Sequence, residues 1–289
     1  MDREKLLKGF IDNLDVAHSS SNTKESYVRY VNSYLDLLER LNKEVGESTI
    51  DDVTIYLAGL NRRNSTSTSS LIARTAIRRF LDINEIDLRW RLLKLPKKKT
   101  RESRLLNENE FLRLVDELPE PEKSLAILIA GSGLRISEAL NLMQGDIDWD
   151  NNKLYIVSHG KKMDGLKTGE GVAKILSEAV SLLKKNNSPI LKGKKGEFLF
   201  MRGDDKSVLV NGKRFWDQLQ KAKSKAKVFK KIKPHLLRHS YGTVMYKKTR
   251  DIVKTKNKMR HSSINSTERY VHLLDNEETE KLPFEGSII

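Results

Sequence analysis

The 289-residue sequence contains no cysteine. Without a thiol the chain forms no disulfide, and it offers neither a thiolate nucleophile nor a cysteine-ligated zinc site. It also has no apolar run approaching the roughly 20 residues that a membrane-spanning helix needs. The first residues, MDREKLLKGF, are too highly charged for a secretory signal. We therefore expect an intracellular protein without a membrane partner.

Acidic residues are too few to balance the basic ones, and the formal net charge is +15. The excess lies in two blocks, with net charges of +9 over residues 61–104 and +17 over residues 190–260. A protein this basic attracts polyanions, and two separate blocks indicate two surfaces for one ligand. General solubilising charge is the alternative, but it would rarely segregate in this way. Nucleic acid is therefore the expected partner.

Residues 1–94 carry helical periodicity and no strand signal. One amphipathic helix is predicted to follow a capping-box pattern at Asn22 and Glu25. A second is predicted after Thr49, and a third through residues 71–81. The serine- and threonine-rich residues 65–70 are interpreted as a helix-capping loop, with phosphate contacts as the alternative. Five arginines near the third helix are candidate DNA contacts: Arg62, Arg63, Arg74, Arg78 and Arg79.

A basic, proline-containing segment, residues 95–104, is predicted to be a linker between two domains. Its lysines Lys97, Lys98 and Lys99 are candidate phosphate contacts, and a solvated tether is the alternative. The predicted division is a helical domain at 1–94, this linker, a second domain at 105–275 and a tail at 276–289.

The second domain is predicted to be mostly helical with a small antiparallel sheet. Asn107 and Glu110 are expected to form the capping box of one helix, and another helix is expected from about residue 125 to Gly131. Residues 153–158 and 172–176 have strand character, and the turn between them includes His159, Gly160 and Lys161. Helical periodicity returns through residues 215–222 and 236–245.

Four short segments carry candidate catalytic groups. Arg135 lies in GSGLRISEAL, a glycine-bearing turn before a helix, where its guanidinium can present a rigid fork of donors to a phosphate. About 100 residues later come PHLLRHS with His235 and Arg238, then RHSS with His261, and finally TERYVH with Tyr270.

In letters, order and spacing these segments resemble the signature of the tyrosine recombinase family, which includes lambda-type integrases and Xer recombinases. The resemblance implies a helical, SAM-like core-binding domain followed by an α+β catalytic domain of the DNA breaking-rejoining fold. It further implies that Tyr270 is the nucleophile, and that Arg135, Arg238, His235 and His261 surround the scissile phosphate. It also implies a general-acid lysine on the hairpin, for which Lys161 matches best and Lys162 and Lys167 remain alternatives. Glu138 is expected to orient neighbouring groups.

The same residues satisfy the chemical needs of breaking a phosphodiester without a metal. Such a reaction requires a nucleophile, neutralisation of the phosphate oxygens and a proton for the leaving alkoxide. We expect no cofactor and no metal. His235 and His239 are four residues apart, but no HExxH pattern accompanies them. Asp146 and Asp148 are better explained by a hairpin turn than by a metal site.

The expected activity is site-specific recombination of double-stranded DNA by transesterification through a 3′-phosphotyrosine. Type IB topoisomerase activity and a catalytically silent DNA-binding regulator are the alternatives. The resemblance implies a homo-oligomer on DNA, a dimer at one site and a tetramer in synapsis, in a cytoplasmic, nucleoid-associated protein. Two features depart from the family: Arg260 replaces a usual glycine, and residues 247–259 are unusually charged for a helix that normally packs under the site. A shifted His261 is therefore the alternative to its assigned position. The short acidic tail with Leu282, Pro283, Phe284 and Ile288 is expected either to dock on a neighbouring subunit or to be frayed.

Overall fold

A computed structural model describes residues 3–62, 67–93, 105–157, 159, 170–201, 210–275 and 281–287. The chain divides into two compact units, Met1–Arg101 and Glu102–Ile289. The predicted linker, 95–104, lies outside the described residues, so the finer domain limits stay a prediction. No helix in the described ranges is both long and apolar enough to cross a membrane.

The first unit is helical. Its helices are α1 (Arg3–Val16), α2 (Ser21–Arg40), α3 (Ile50–Arg62) and α4 (Ser67–Ile83), with short 3-10 turns at Val45–Glu47 and Trp90–Leu92. Helix α2 packs along α4 and α3, and α1 packs against α2 and α4. The core includes Phe10 and Phe80, whose rings meet edge to face, and the buried Tyr34. The three predicted helices are confirmed, and α1 was not predicted.

Two local predictions in this unit are wrong. Helix α2 is capped by Ser20, whose hydroxyl accepts a hydrogen bond from the backbone N–H of Thr23, and Asn22 lies inside the helix. Residues 67–70 belong to α4 instead of forming a loop before it. Serine and threonine disfavour a helix only weakly, and the apolar residues that follow are buried against α2, so packing decides the start of α4.

The second unit combines eight helices with one sheet in its described part. The helices are α5 (Glu108–Asp116), α6 (Glu122–Ser132), α7 (Ile136–Leu140), α8 (Ser177–Lys185), α9 (Gly212–Lys225), α10 (Pro234–Thr249), α11 (Ile252–Met259) and α12 (Asn265–Asp275), with a 3-10 turn at Pro189–Leu191. Helix α10 lies at the centre and packs against α6, α11 and α12. The predicted capping box of α5 is present, since Asn107 and Glu110 each bind the other's backbone N–H.

The sheet has the strand order β1 (Ile147–Asp148), β2 (Lys153–Ile156) and β3 (Gly171–Lys174), with both pairs antiparallel. Strands β2 and β3 confirm the predicted hairpin, and β1 is an additional edge strand. The turn before β2 is closed by Asp148, which accepts hydrogen bonds from the backbone and side chain of Asn151. The turn interpretation of Asp148 is therefore confirmed.

Residues 281–287 of the tail pack on their own chain. Leu282 and Phe284 are buried, and the Phe284 ring meets Phe111 of α5 edge to face at 5.4 Å between centroids. Lys247 of α10 forms an ion pair with Glu285, at 3.1 Å. The expectation of a frayed end is therefore wrong for these residues. The contacts described lie within one subunit, whereas Ile288 is outside the described residues.

Candidate active site

Arg135 is held at the start of α7 by the local fold. Helix α6 ends at Gly133, whose φ of 68° is in the left-handed region that glycine adopts without strain. A side chain on Gly133 would overlap the ring of Tyr241, so the chain turns closely over α10 at this point. The turn leaves Arg135 as the first residue before α7, as the sequence predicted.

Glu138 gathers three guanidinium groups around one buried carboxylate. Its Oε1 lies 2.9 Å from Arg135 Nη1 and 3.5 Å from Arg260 Nη1, and its Oε2 lies 3.8 Å from Arg238 Nη1. The side chain is only 2% exposed, and Oε2 also accepts the backbone N–H of Arg135 at 2.8 Å. The carboxylate thus joins arginines from separate parts of the sequence in one cluster.

Arg238 projects from α10 and is clamped by backbone carbonyls. Its Nη1 donates to the carbonyl of Gly133 at 2.5 Å, and Nη2 donates to that of Met259 at 2.6 Å. Burial and the repulsion of Arg135 lower the pKa of the Arg238 guanidinium to about 10, against the attraction of Glu138. The group therefore remains protonated at neutral pH, and its position is set by α6, α10 and α11 together.

Tyr270 lies on α12 and is fully buried. Its hydroxyl is 3.2 Å from Nδ1 of His239, and the His261 ring stacks on its ring with centroids 6.2 Å apart. The ring rests on Gly242 of α10, where any side chain would overlap it. The phenol is therefore packed and hydrogen-bonded, and it faces a histidine instead of open solvent.

His239 is a site residue that the sequence assignment missed. The sequence indicates it only as one member of a possible metal-binding pair with His235. In the structure the ring centroids of these two histidines are 6.4 Å apart. The signal that could have found it was the helical spacing, because residues 235, 238, 239 and 242 share one face of α10. No group of potential metal ligands is found among the described residues.

The two assigned histidines differ in their surroundings. His235 is exposed in the first turn of α10. His261 follows α11 and its Nδ1 lies 2.9 Å from the hydroxyl of the buried Thr267, at the start of α12. His261 thus follows Arg260 of the arginine cluster along the chain and stacks on the ring of Tyr270.

Arg260 occupies a position with a physical preference for glycine. It ends α11 with φ 51° and ψ 48°, in the left-handed region. Its backbone carbonyl accepts a hydrogen bond from Arg135 Nη2 at 3.2 Å, and its guanidinium packs against Gly171 at the start of β3. Arg260 is therefore built into the arginine cluster, which the sequence did not predict.

The remaining candidate residues fall into two groups. Seven of them lie outside the described residues: Lys161, Lys162, Lys167, Arg63, Lys97, Lys98 and Lys99. In the first unit, Arg74 and Arg78 each lie 5.9 Å from the ring centroid of Trp90, and Arg79 donates to the side chain of Asn13. Arg62 is exposed at the end of α3. Three of these arginines therefore also have partners within their own domain.

Comparison with known families matches residues 104–277 to the Phage integrase family, and residues 6–83 to "Phage integrase, N-terminal SAM-like domain". The first match alone spans more than half of the chain. The chain belongs to the phage integrase family. The family resemblance and the fold class drawn from the sequence are confirmed.

Similar proteins include curated Xer recombinases. This phage integrase family member is 24% identical to Tyrosine recombinase XerA of Saccharolobus solfataricus over 282 residues, covering 93% of this chain and 88% of the relative. It is 27% identical to XerA of Pyrococcus furiosus, covering 94% and 90%. Among these relatives the likeness extends over both units.

Solved structures with the same fold include two integrase–DNA complexes. A lambda integrase dimer bound to a COC′ core site is 16% identical, with a TM-score of 0.72, and the match covers 96% of this chain and 79% of that one. A Tn1549 transposon integrase in complex with transposon right end DNA is 15% identical, with a TM-score of 0.72, covering 92% and 94%. At these identities the likeness concerns the fold of this integrase family member.

Proposed function

We propose that this chain is a site-specific tyrosine recombinase that cleaves and rejoins double-stranded DNA. The observation that carries the proposal is the convergence of Arg135, Arg238, His261 and Tyr270, from four distant segments, around α10 and the carboxylate of Glu138. Membership of the phage integrase family and the DNA-bound relatives support the same conclusion.

The proposed reaction is a transesterification. The Tyr270 oxygen attacks the scissile phosphorus, the bond from phosphorus to the 5′ oxygen breaks, and a 3′-phosphotyrosine forms. The phenol proton passes to a nearby histidine or to solvent, and the leaving 5′ oxygen takes a proton from the hairpin lysine, assigned to Lys161. A second 5′ hydroxyl then reverses these steps on a new partner strand, so the number of phosphodiester bonds is conserved.

Arg135 and Arg238 are proposed to neutralise the non-bridging oxygens. Two guanidinium forks held in fixed orientation favour the more highly charged transition state over the ground state. Glu138 holds Arg135 in place and offsets part of the repulsion among the arginines. The exposed His235 and the tethered His261 are proposed to donate hydrogen bonds to the same oxygens.

The buried phenol sets a requirement for the reaction. Tyr270 is enclosed by Gly242, His239 and His261, so its hydroxyl must leave His239 before it can reach a phosphate. A shift of α12 relative to α10 is the motion that would deliver it. DNA binding is proposed to drive this shift, because it supplies the anion that the arginine cluster binds.

The proposed partners are duplex DNA and further copies of the chain, as a dimer at one site and a tetramer in synapsis. A cytoplasmic, nucleoid-associated location is proposed with it, as the place where such a substrate is found. The two basic blocks, residues 61–104 and 190–260, are proposed to contribute phosphate contacts from each domain. Such contacts give affinity and register without fixing the target sequence.

The test is trapping of the covalent intermediate. The full chain is incubated with a pool of nicked duplexes of randomised sequence. Cleavage near the nick releases a short strand that carries the 5′ hydroxyl, and its loss prevents religation. Adducts are then separated on a denaturing gel. We expect a protein–DNA adduct that is absent from Tyr270→Phe, while DNA binding by that variant is unchanged. Adduct formed equally by Tyr270→Phe would overturn the assignment. Relaxation of supercoiled DNA without strand exchange would favour a type IB topoisomerase.

A further inference from the structure

The segment that leads into α10 presents an exposed aromatic ring among lysines. Phe229, between α9 and α10, is 93% exposed, more than any other large apolar side chain in the described residues. Single exposed apolar residues are common on protein surfaces. The setting of Phe229 is what distinguishes it.

The backbone around Phe229 is fixed on both sides. The buried Val228 donates its N–H to the carbonyl of Lys223, and the buried Ile232 accepts the side-chain amide of Gln220 at 2.9 Å. Between them, Lys230 donates to the carbonyl of Leu105 at 2.8 Å and to Glu110 at 2.6 Å. An anchored backbone therefore holds the phenyl ring in solvent.

Burial alternates along this segment and sorts its side chains by chemistry. Ala226, Val228 and Ile232 face the core. The exposed positions are Lys227, Phe229, Lys231, Lys233 and then His235. We call these five residues the lysine–phenylalanine row. It carries three positive charges, no acidic group and one apolar ring, and it ends at a histidine assigned to the scissile phosphate.

We propose that the lysine–phenylalanine row is a DNA-binding surface, on which the lysines contact phosphates and Phe229 packs against a sugar or base face of the duplex. The positive charge selects a polyanion over a protein partner, and aromatic side chains bind the faces of bases or wedge between base steps. The proposal rests on the proposed function, since it takes DNA as the ligand.

The row also limits where the ring can touch the duplex. Phe229 and His235 are six positions apart, and an extended chain spans at most about 3.4 Å per position, so their backbones lie within roughly 20 Å of each other. With 3.4 Å of rise per base pair, Phe229 reaches DNA within about six base pairs of the cleaved phosphate. The lysine contacts give affinity for any sequence, whereas the ring can sense base stacking.

The test measures binding of the full chain to a fluorescein-labelled duplex of mixed sequence over a range of salt concentrations. Phe229→Ala is expected to weaken binding about tenfold and to leave the slope of log K against log salt unchanged, because no charge is removed. The matched control, Lys231→Gln, is expected to lower that slope by about one. Phe229→Trp is expected to bind like the wild type.

Both positions are exposed, so thermal unfolding of the variants should match the wild type. Unchanged binding by Phe229→Ala at every salt concentration would overturn the proposal, as would an altered self-association of the free protein with unaltered DNA binding. The adduct assay separates this inference from the proposed function. If wild-type chain forms no adduct but Phe229→Ala weakens binding, recombination fails and the DNA contact stands. If the wild-type chain forms the adduct and Phe229→Ala binds normally, the proposed function stands and the DNA contact of Phe229 fails.

Discussion

The phenol oxygen of Tyr270 lies 3.2 Å from Nδ1 of His239. The ring of Tyr270 rests on Gly242, which follows His239 by about one turn of α10. The hydrogen bond links the proposed nucleophile to the helix that also carries Arg238. The relationship means that the proposed nucleophile has a defined resting position, and we expect release from this position to be a step of its own.

Removal of His239 tests this resting position. His239→Ala removes one hydrogen-bond partner of the buried Tyr270 hydroxyl, which should lower the free energy of unfolding by about 1–3 kcal/mol. Tyr270→Phe removes the hydroxyl itself, so the double variant should lose less than the sum of the two single losses. Urea unfolding of the wild type and the three variants measures the coupling. Additive losses would show that the two groups do not interact in solution.

Arg238→Lys tests the clamp on the phosphate. The guanidinium bonds two carbonyls at once and still offers donors to a phosphate, whereas an ammonium cannot match that planar geometry. We expect adduct formation to slow by roughly 10²–10³-fold, the usual effect of losing one oxyanion donor. Arg113→Lys, on an exposed face of α5, is the control and should react like the wild type. A rate within twofold of the wild type for Arg238→Lys would contradict the assigned role.

Arg260 and Glu138 are predicted to act as a pair. Without Arg260, the Glu138 carboxylate should hold Arg135 more tightly. The positive charge of Arg135 would then be less available to neutralise the phosphate. Arg260→Gly, which suits the left-handed backbone, should slow adduct formation by roughly tenfold, or about 1.4 kcal/mol of barrier. Glu138→Gln in the same chain should recover part of that loss. If Arg260→Gly is as active as the wild type, the third guanidinium has no part in the site.

The first domain contains an acid-sensitive group. Burial alone would raise the pKa of Asp52, but hydrogen bonds from Lys43 and Thr49 outweigh it and the pKa is lowered. A lowered pKa gives stability that is present above the unfolded value of about 3.9 and is lost as pH falls through the folded value. The wild type should therefore become easier to unfold below about pH 4.

Asp52→Asn should unfold more easily at neutral pH, by about 1.5–3 kcal/mol, and depend less on pH in the acid range. Urea unfolding followed by circular dichroism at several pH values gives the comparison. Asp51→Asn is the matched control, because Asp51 is exposed on the same turn of α3. If the stability of Asp52→Asn falls with pH as much as that of the wild type, other carboxylates cause the acid sensitivity.

Local sequence patterns were sufficient for much of the fold. The helical periodicity predicted α2, α3, α9 and α10, and the capping pair Asn107 and Glu110 located the start of α5. Alternating apolar residues predicted the hairpin of β2 and β3. These features depend on neighbours a few residues apart, so the sequence carries them directly. The start of α4 was misassigned because burial against α2 overrides the weak preference of serine and threonine.

The motifs likewise identified Arg135, Arg238, His261 and Tyr270 as candidates, since family letters and spacing are properties of the chain alone. Only the tertiary structure decided what each group touches: that Glu138 joins three arginines, that Tyr270 is buried against His239, and that Arg260 belongs to the cluster. These contacts join residues up to 125 positions apart. Their geometry depends on how α6, α10, α11 and α12 pack, and side-chain packing between distant segments leaves no local pattern in the sequence.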